Sequence, residues 1–142
     1  LAAEDVMNAW TRNPGVIHTS TFQGNALACS TAVATIDSVR SQKLDERAGR
    51  VGNAFQQWLR LAIGSYPQVQ AITGAGLMVG VAFDSGTTAS TVAHALLQRG
   101  YIVVTGGPNA NTLTLTPPLT IHEDLLEKFV DCLADVLANL PR

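Results

Sequence analysis

Apolar residues recur along the chain with two periods, and the switches between them mark its elements. From 26 to about 40, Leu27, Val33, Ile36 and Val39 stand among alanines at helical spacing, with a small, tightly packing face suited to burial. A second helix is predicted over 44–63, where Leu44, Ala48, Val51, Phe55, Leu59 and Ala62 recur at three- and four-residue steps until Gly64, Tyr66 and Pro67 stop the pattern. Residues 69–72 read as a short strand. Gly74-Ala-Gly76 then leads into a compact apolar strand over 77–83, ended by Asp84-Ser-Gly86.

The next segment is helical again, with Thr88 or Ser90 as its cap, Val92, Ala95, Leu96 and Leu97 on its apolar face, and Gly100 where a left-handed terminal residue is wanted. Strands are predicted over 101–104 and 112–115, antiparallel to each other and joined by a Gly- and Asn-rich loop. Thr120-Ile-His-Glu123 has the spacing of a capping box before a last helix, whose buried stripe is Leu126, Phe129, Val130, Leu133, Val136, Leu137 and Leu140. Residues 1–24 read as an irregular connection, with a turn at Asn13-Pro14-Gly15 and a short strand at Val16-Ile17. The order of elements describes an α/β sandwich of a small, mostly antiparallel sheet packed with helices.

Composition narrows the function. The chain has 142 residues and 46% hydrophobic content, enough for a core, but only 14% charged residues against a typical value of about 25%. So little charge implies surface covered by a missing domain or a second subunit, and a start at Leu1 agrees with a fragment of a longer chain. A net charge of −2 with no basic block argues against a nucleic-acid partner. The longest mainly apolar run, 76–83, is far short of a membrane span, and no leader opens the chain. Cys29 and Cys132 have no metal-ligand or redox spacing; the expectation is two buried, reduced thiols in a cytoplasmic protein.

Little catalytic chemistry is written locally. Gly74, Gly76 and Gly80 enter a strand rather than a helix, which denies a pyrophosphate its helix dipole and assigns them to a tight bend and close strand approach. His18, His94 and His122 are scattered and make no metal site, with His94 and His122 expected on polar, exposed positions. No GxSxG elbow supports a serine nucleophile. Lys43 lies in a polar stretch between two helices and reads as a solvated amine rather than one activated for Schiff-base chemistry. The informative stretch is His18-Thr-Ser-Thr-Phe-Gln-Gly-Asn-Ala-Leu-Ala-Cys29, where hydroxyl residues lead through Gly24 and Asn25 into a helix. Such a junction serves either as an ordinary cap or as an anion site built from backbone N–H groups and the helix dipole.

Five blocks in order, Val6-Met-Asn-Ala-Trp10, His18 through Asn25, Leu27-Ala-Cys29, Gly74 through Gly80, and Leu113-Thr-Leu-Thr-Pro-Pro-Leu-Thr-Ile121, resemble the C-terminal part of class III aminotransferases nearly end to end. The resemblance implies the C-terminal small domain of the aspartate-aminotransferase fold (fold type I), with 1–40 closing the large cofactor-binding domain and supplying a linking helix, and 41–142 forming the small domain. It also implies pyridoxal 5'-phosphate as cofactor and a homodimer with shared active sites. Thr21 would bind the cofactor phosphate of the other subunit, supported by Ser20 and by the backbone of Thr21 and Phe22, with Gly24 and Asn25 shaping the helix entrance.

Two departures qualify that expectation. The family's Schiff-base lysine and its cofactor-ring aspartate lie upstream of Leu1, so the chain is expected to be a fragment that does not transaminate by itself. Many members carry Arg where this chain has Thr114, and a hydroxyl offers no bidentate grip on a substrate carboxylate. Thr114 is then the substrate-facing candidate, and the amino donor is an ω-amine or has its carboxylate held elsewhere. The expected reaction is transfer of an amino group from an amine or amino acid to a 2-oxo acid. An aminomutase or epimerase of the same fold, or a non-catalytic binding or dimerisation domain, are the alternatives.

Overall fold

In the computed structural model of the chain, residues 3–8 and 21–140 are described. The turn expected at 13–15, the strand at 16–17, His18 and the site residue Ser20 lie outside them. The chain divides into two compact units, Leu1–Asp37 and Ser38–Arg142.

The first unit opens on α1 (Glu4–Met7), a single helical turn in a stretch expected to be irregular. Glu4 and Asp5 lie in its first turn, where carboxylates complement the helix dipole. The helix α2 (Ala26–Ser41) begins in this unit and has the expected bounds. Its expected burial is not found: no α2 residue is buried, Val33 and Ile36 are more than half exposed, and Cys29 is exposed rather than buried. An apolar face is buried only where another element lies against it.

The second unit holds the core. The helix α3 (Leu44–Ile63) turns Leu44, Ala48, Val51, Phe55 and Leu59 of the expected stripe inward, and ends it on Ile63 in place of the expected Ala62, which is only partly buried. Strands β1 (Val69–Ala75) and β2 (Met78–Phe83) form a hairpin across Gly76, whose φ of 54° is the left-handed geometry glycine tolerates. The helix α4 (Gly86–Gln98) follows, then β3 (Val104–Gly106), β4 (Thr112–Leu115) and α5 (Glu123–Ala138). The four strands pair antiparallel in the order β1-β2-β4-β3.

Register separates the two faces of the sheet. Val79 pairs with Leu115 and Val81 with Leu113, which places them with Phe83 on one face, buried with apolar residues of α3, α4 and α5. Gly80 pairs with Thr114 and Ala82 with Thr112 on the opposite face. Sheet and three helices thus make two layers around one core.

Three local expectations are corrected. The cap of α4 is Ser85, whose Oγ accepts from the Thr88 N–H at 3.1 Å; Thr88 and Ser90 lie within the helix. The cap position of α5 is His122, with no side-chain cap bond, so Thr120 and Glu123 do not form a capping box. The strand expected over 101–104 pairs only from Val104 on, because Tyr101 and Val103 turn to the core while Gly106 completes the register with Thr112. Gly100, with φ of 88° after α4, takes the predicted left-handed position.

Candidate functional site

In the first unit, Thr21 and Phe22 lie together in an exposed turn that runs through Gly24, at φ of 75°, into α2. The Asn25 N–H donates to the Phe22 carbonyl at 3.2 Å and closes the turn. Asn25 is also the cap: its Oδ1 accepts from the Ala28 N–H at 3.1 Å and its carbonyl from the Cys29 N–H at 2.9 Å. The junction is therefore a capped helix start, with Gly24 and Asn25 shaping it as expected.

That cap does not close the junction to an anion. It satisfies one of the donors left over at a helix start, while those of Ala26 and Leu27 precede any intrahelical partner. Electrostatics favour the same reading. The first turns of α1, α3 and α5 carry Glu4 and Asp5, Asp45 and Glu46, and Glu123 and Asp124, whereas those of α2 and α4 carry no acid. With 21–25 reading Thr-Phe-Gln-Gly-Asn, hydroxyl, amide and N–H donors face a positive dipole end with no competing carboxylate in the segment. The residues present fit a phosphate group.

In the second unit, Thr114 sits mid-strand in β4, opposite Gly80 on β2 and Val104 on β3. It is half-buried, and a Cβ on Gly106 would come within 3.0 Å of its hydroxyl, so glycine there leaves the hydroxyl its space. Thr114 forms part of the wall of a cavity of about 460 Å³ that also involves Tyr101, Pro117, Pro118, Ile121 and Phe129. Two of these lining rings, Tyr101 and Phe129, meet edge-on with centroids 5.3 Å apart. Among the described residues, no charged side chain lines this cavity. Its described wall can hold an apolar group and offer a hydroxyl, and supplies no cation to clamp a carboxylate.

Other sequence candidates stay apart from these places. His94 and His122 are exposed, as expected. Lys43 is exposed and paired with Glu46 at 3.4 Å. Among the described residues, no cluster of His, Cys, Asp and Glu could hold a metal, and no helix is long and apolar enough to cross a membrane. Cys132 is half-buried on α5, and burial pushes its thiol above the ordinary range, against a lowering influence from Arg99 and with a raising one from Asp135. Sequence reasoning missed Arg47 altogether. Its guanidinium donates from Nη1 to the Leu119 carbonyl and from Nη2 to the Ile121 carbonyl, a contact that no local pattern announces across more than seventy residues.

Solved structures define the class. A Bacillus anthracis aminotransferase superposes with a TM-score of 0.81 at 25% identity, covering 96% of this chain and 34% of that one. The acetylornithine aminotransferase of Elizabethkingia anophelis superposes with a TM-score of 0.78 at 30% identity, covering 99% and 34%. The fold is the small α/β domain of the fold-type-I aminotransferases.

The family model of class-III aminotransferases matches residues 1–137, and this chain belongs to that family. It is 36% identical over 123 residues to the acetylornithine aminotransferase of Methanothermobacter thermautotrophicus, covering 87% of this chain. It is 32% identical over 141 residues to the putrescine aminotransferase of Pectobacterium atrosepticum, covering 99% of this chain. The chain spans 30% of the length of each of these relatives.

Proposed function

We propose that this chain is the C-terminal part of a transaminase that moves an amino group from an amine or amino acid donor to a 2-oxo acid. Residues 1–40 would end the large domain and link it to the small domain, 41–142. Pyridoxal 5'-phosphate, when bound, supplies the electron sink for this chemistry. The chain's own part is to hold and orient. Thr21 donates its hydroxyl to the cofactor phosphate across a homodimer interface, Ser20 and the Phe22 backbone assist, and Thr114 faces the substrate. The Schiff-base lysine is supplied from outside these residues, so the chain alone is inactive.

The observation that carries this reading is the exposed turn from Thr21 to Gly24, free of carboxylates, leading into α2, whose first turn lacks acids. The bare apolar face of α2 supports a homodimer. The uncharged wall at Thr114 supports a donor that is not gripped there by a carboxylate, such as an ω-amine. Two unpaired cysteines suit a reducing compartment, the cytoplasm.

The test is Thr21→Val in the full-length protein, with cofactor retention followed by absorbance during dialysis. Loss of a charge-assisted hydrogen bond is worth about 1.5–3 kcal/mol, so affinity is expected to fall on the order of tenfold or more. Unchanged affinity removes Thr21 from the site. Amino transfer to an external 2-oxo acid separates a transaminase from an aminomutase or epimerase.

A further inference from the structure

The stretch 116–121 supplies much of the cavity wall beside Thr114 yet belongs to no helix or strand. Pro117 and Pro118 have no N–H with which to join a ladder. Among the described residues its internal tie is the bond from the Ile121 N–H to the Pro118 carbonyl, 2.9 Å. The Leu119 and Ile121 side chains pack against the core, and the half-buried Arg47 of α3 holds their two carbonyls together. A guanidinium is planar, so two carbonyls bound to one fork are fixed in direction as well as distance.

We infer that Arg47 is a positioning residue for substrate: its fork sets where the Pro117-Pro118 rim stands relative to Thr114, and so shapes the recess that receives the uncharged part of the amine donor. This rests on the reading of Thr114 as substrate-facing. Arg47 touches no substrate itself and acts only through the two carbonyls. Lysine cannot replace it, because a single ammonium lacks the paired planar donors.

The experiment uses the full-length holoenzyme with Arg47→Met, Arg47→Lys and Thr114→Val. Amide exchange over 116–121 and steady-state KM and kcat for an aliphatic ω-amine are measured in each. Both Arg47 variants are expected to speed exchange in 116–121 and raise KM about three- to tenfold with kcat changed less than about twofold, the signature of lost binding rather than lost chemistry. A clamp that serves stability alone lowers the amount of folded enzyme and leaves KM where it was, and that result overturns the inference. So does full rescue by Arg47→Lys. A raised KM in Thr114→Val with unchanged KM in the Arg47 variants overturns the inference and leaves the Thr114 reading standing. Unchanged KM in all three overturns both.

Discussion

Gly52 on α3 meets the backbone of Gly76 in the β1–β2 turn so closely that a methyl group on Gly52 would fall 2.0 Å from the Gly76 carbonyl oxygen. Two opposing effects follow from Gly52→Ala. Helix propensity favours alanine by about 1 kcal/mol, while overpacking a tight contact costs about 1–3 kcal/mol and more when backbone must move. The neighbour here is backbone, so the steric cost wins. Denaturant unfolding is expected to show a net loss of about 2 kcal/mol or more. Gly49, on the same helix with nothing within 4 Å of an added Cβ, is the control: Gly49→Ala is expected to gain up to about 1 kcal/mol.

The cap of α4 gives a second prediction. Ser85→Ala removes the acceptor of the Thr88 N–H and is expected to cost about 1 kcal/mol in thermal or chemical unfolding. Ser90→Ala and Thr120→Ala, at positions that a sequence pattern nominates as caps but the fold does not use, are expected to stay within about 0.5 kcal/mol of the parent.

Leu59 and Leu61 lie two residues apart on α3, one fully buried and the other 85% exposed. Truncating a buried leucine to alanine costs about 2–5 kcal/mol through lost transfer energy and the cavity left behind. Leu59→Ala is expected in that range by denaturant titration. Leu61→Ala is expected to be near neutral.

Cys132 predicts a pH dependence. Burial raises its thiol, so the folded chain keeps the thiol proton in a pH range where the unfolded chain has begun to lose it. Below the ordinary thiol range both states are protonated and the residue contributes no slope. As pH rises through that range toward the raised value, the unfolded state binds fewer protons and stability falls. Cys132→Ala is expected to flatten this alkaline decline in unfolding curves taken from pH 7 to 10. An unchanged slope would sink the assignment.

The helix α3 was legible in its bounds and in its stripe up to Leu59, because spacing and the stop at Gly64 and Pro67 are local facts of turn chemistry, while the last inward residue is Ile63 rather than Ala62. The strand β4 was equally plain. Its neighbour β3 was displaced, since a period of two says which residues alternate but not which of them find a partner. At the site, the Thr21 turn was readable as a donor-rich helix start, whereas the cavity beside Thr114 draws on α3, α5 and the chain around β3 and β4, and no one stretch contains it.

Sequence alone determined most of the elements, the mostly antiparallel α/β architecture and the family resemblance, because periodicity, turn residues and ordered motifs are properties of neighbouring positions. Tertiary structure decided what depends on distant positions meeting. It made Asn25 the cap that shapes the Thr21 turn, and set Gly106 where the Thr114 hydroxyl needs room. It also joined Arg47 to Leu119 and Ile121. Each of these is a contact, and a contact across dozens of residues is fixed by packing in space rather than by any pattern along the chain.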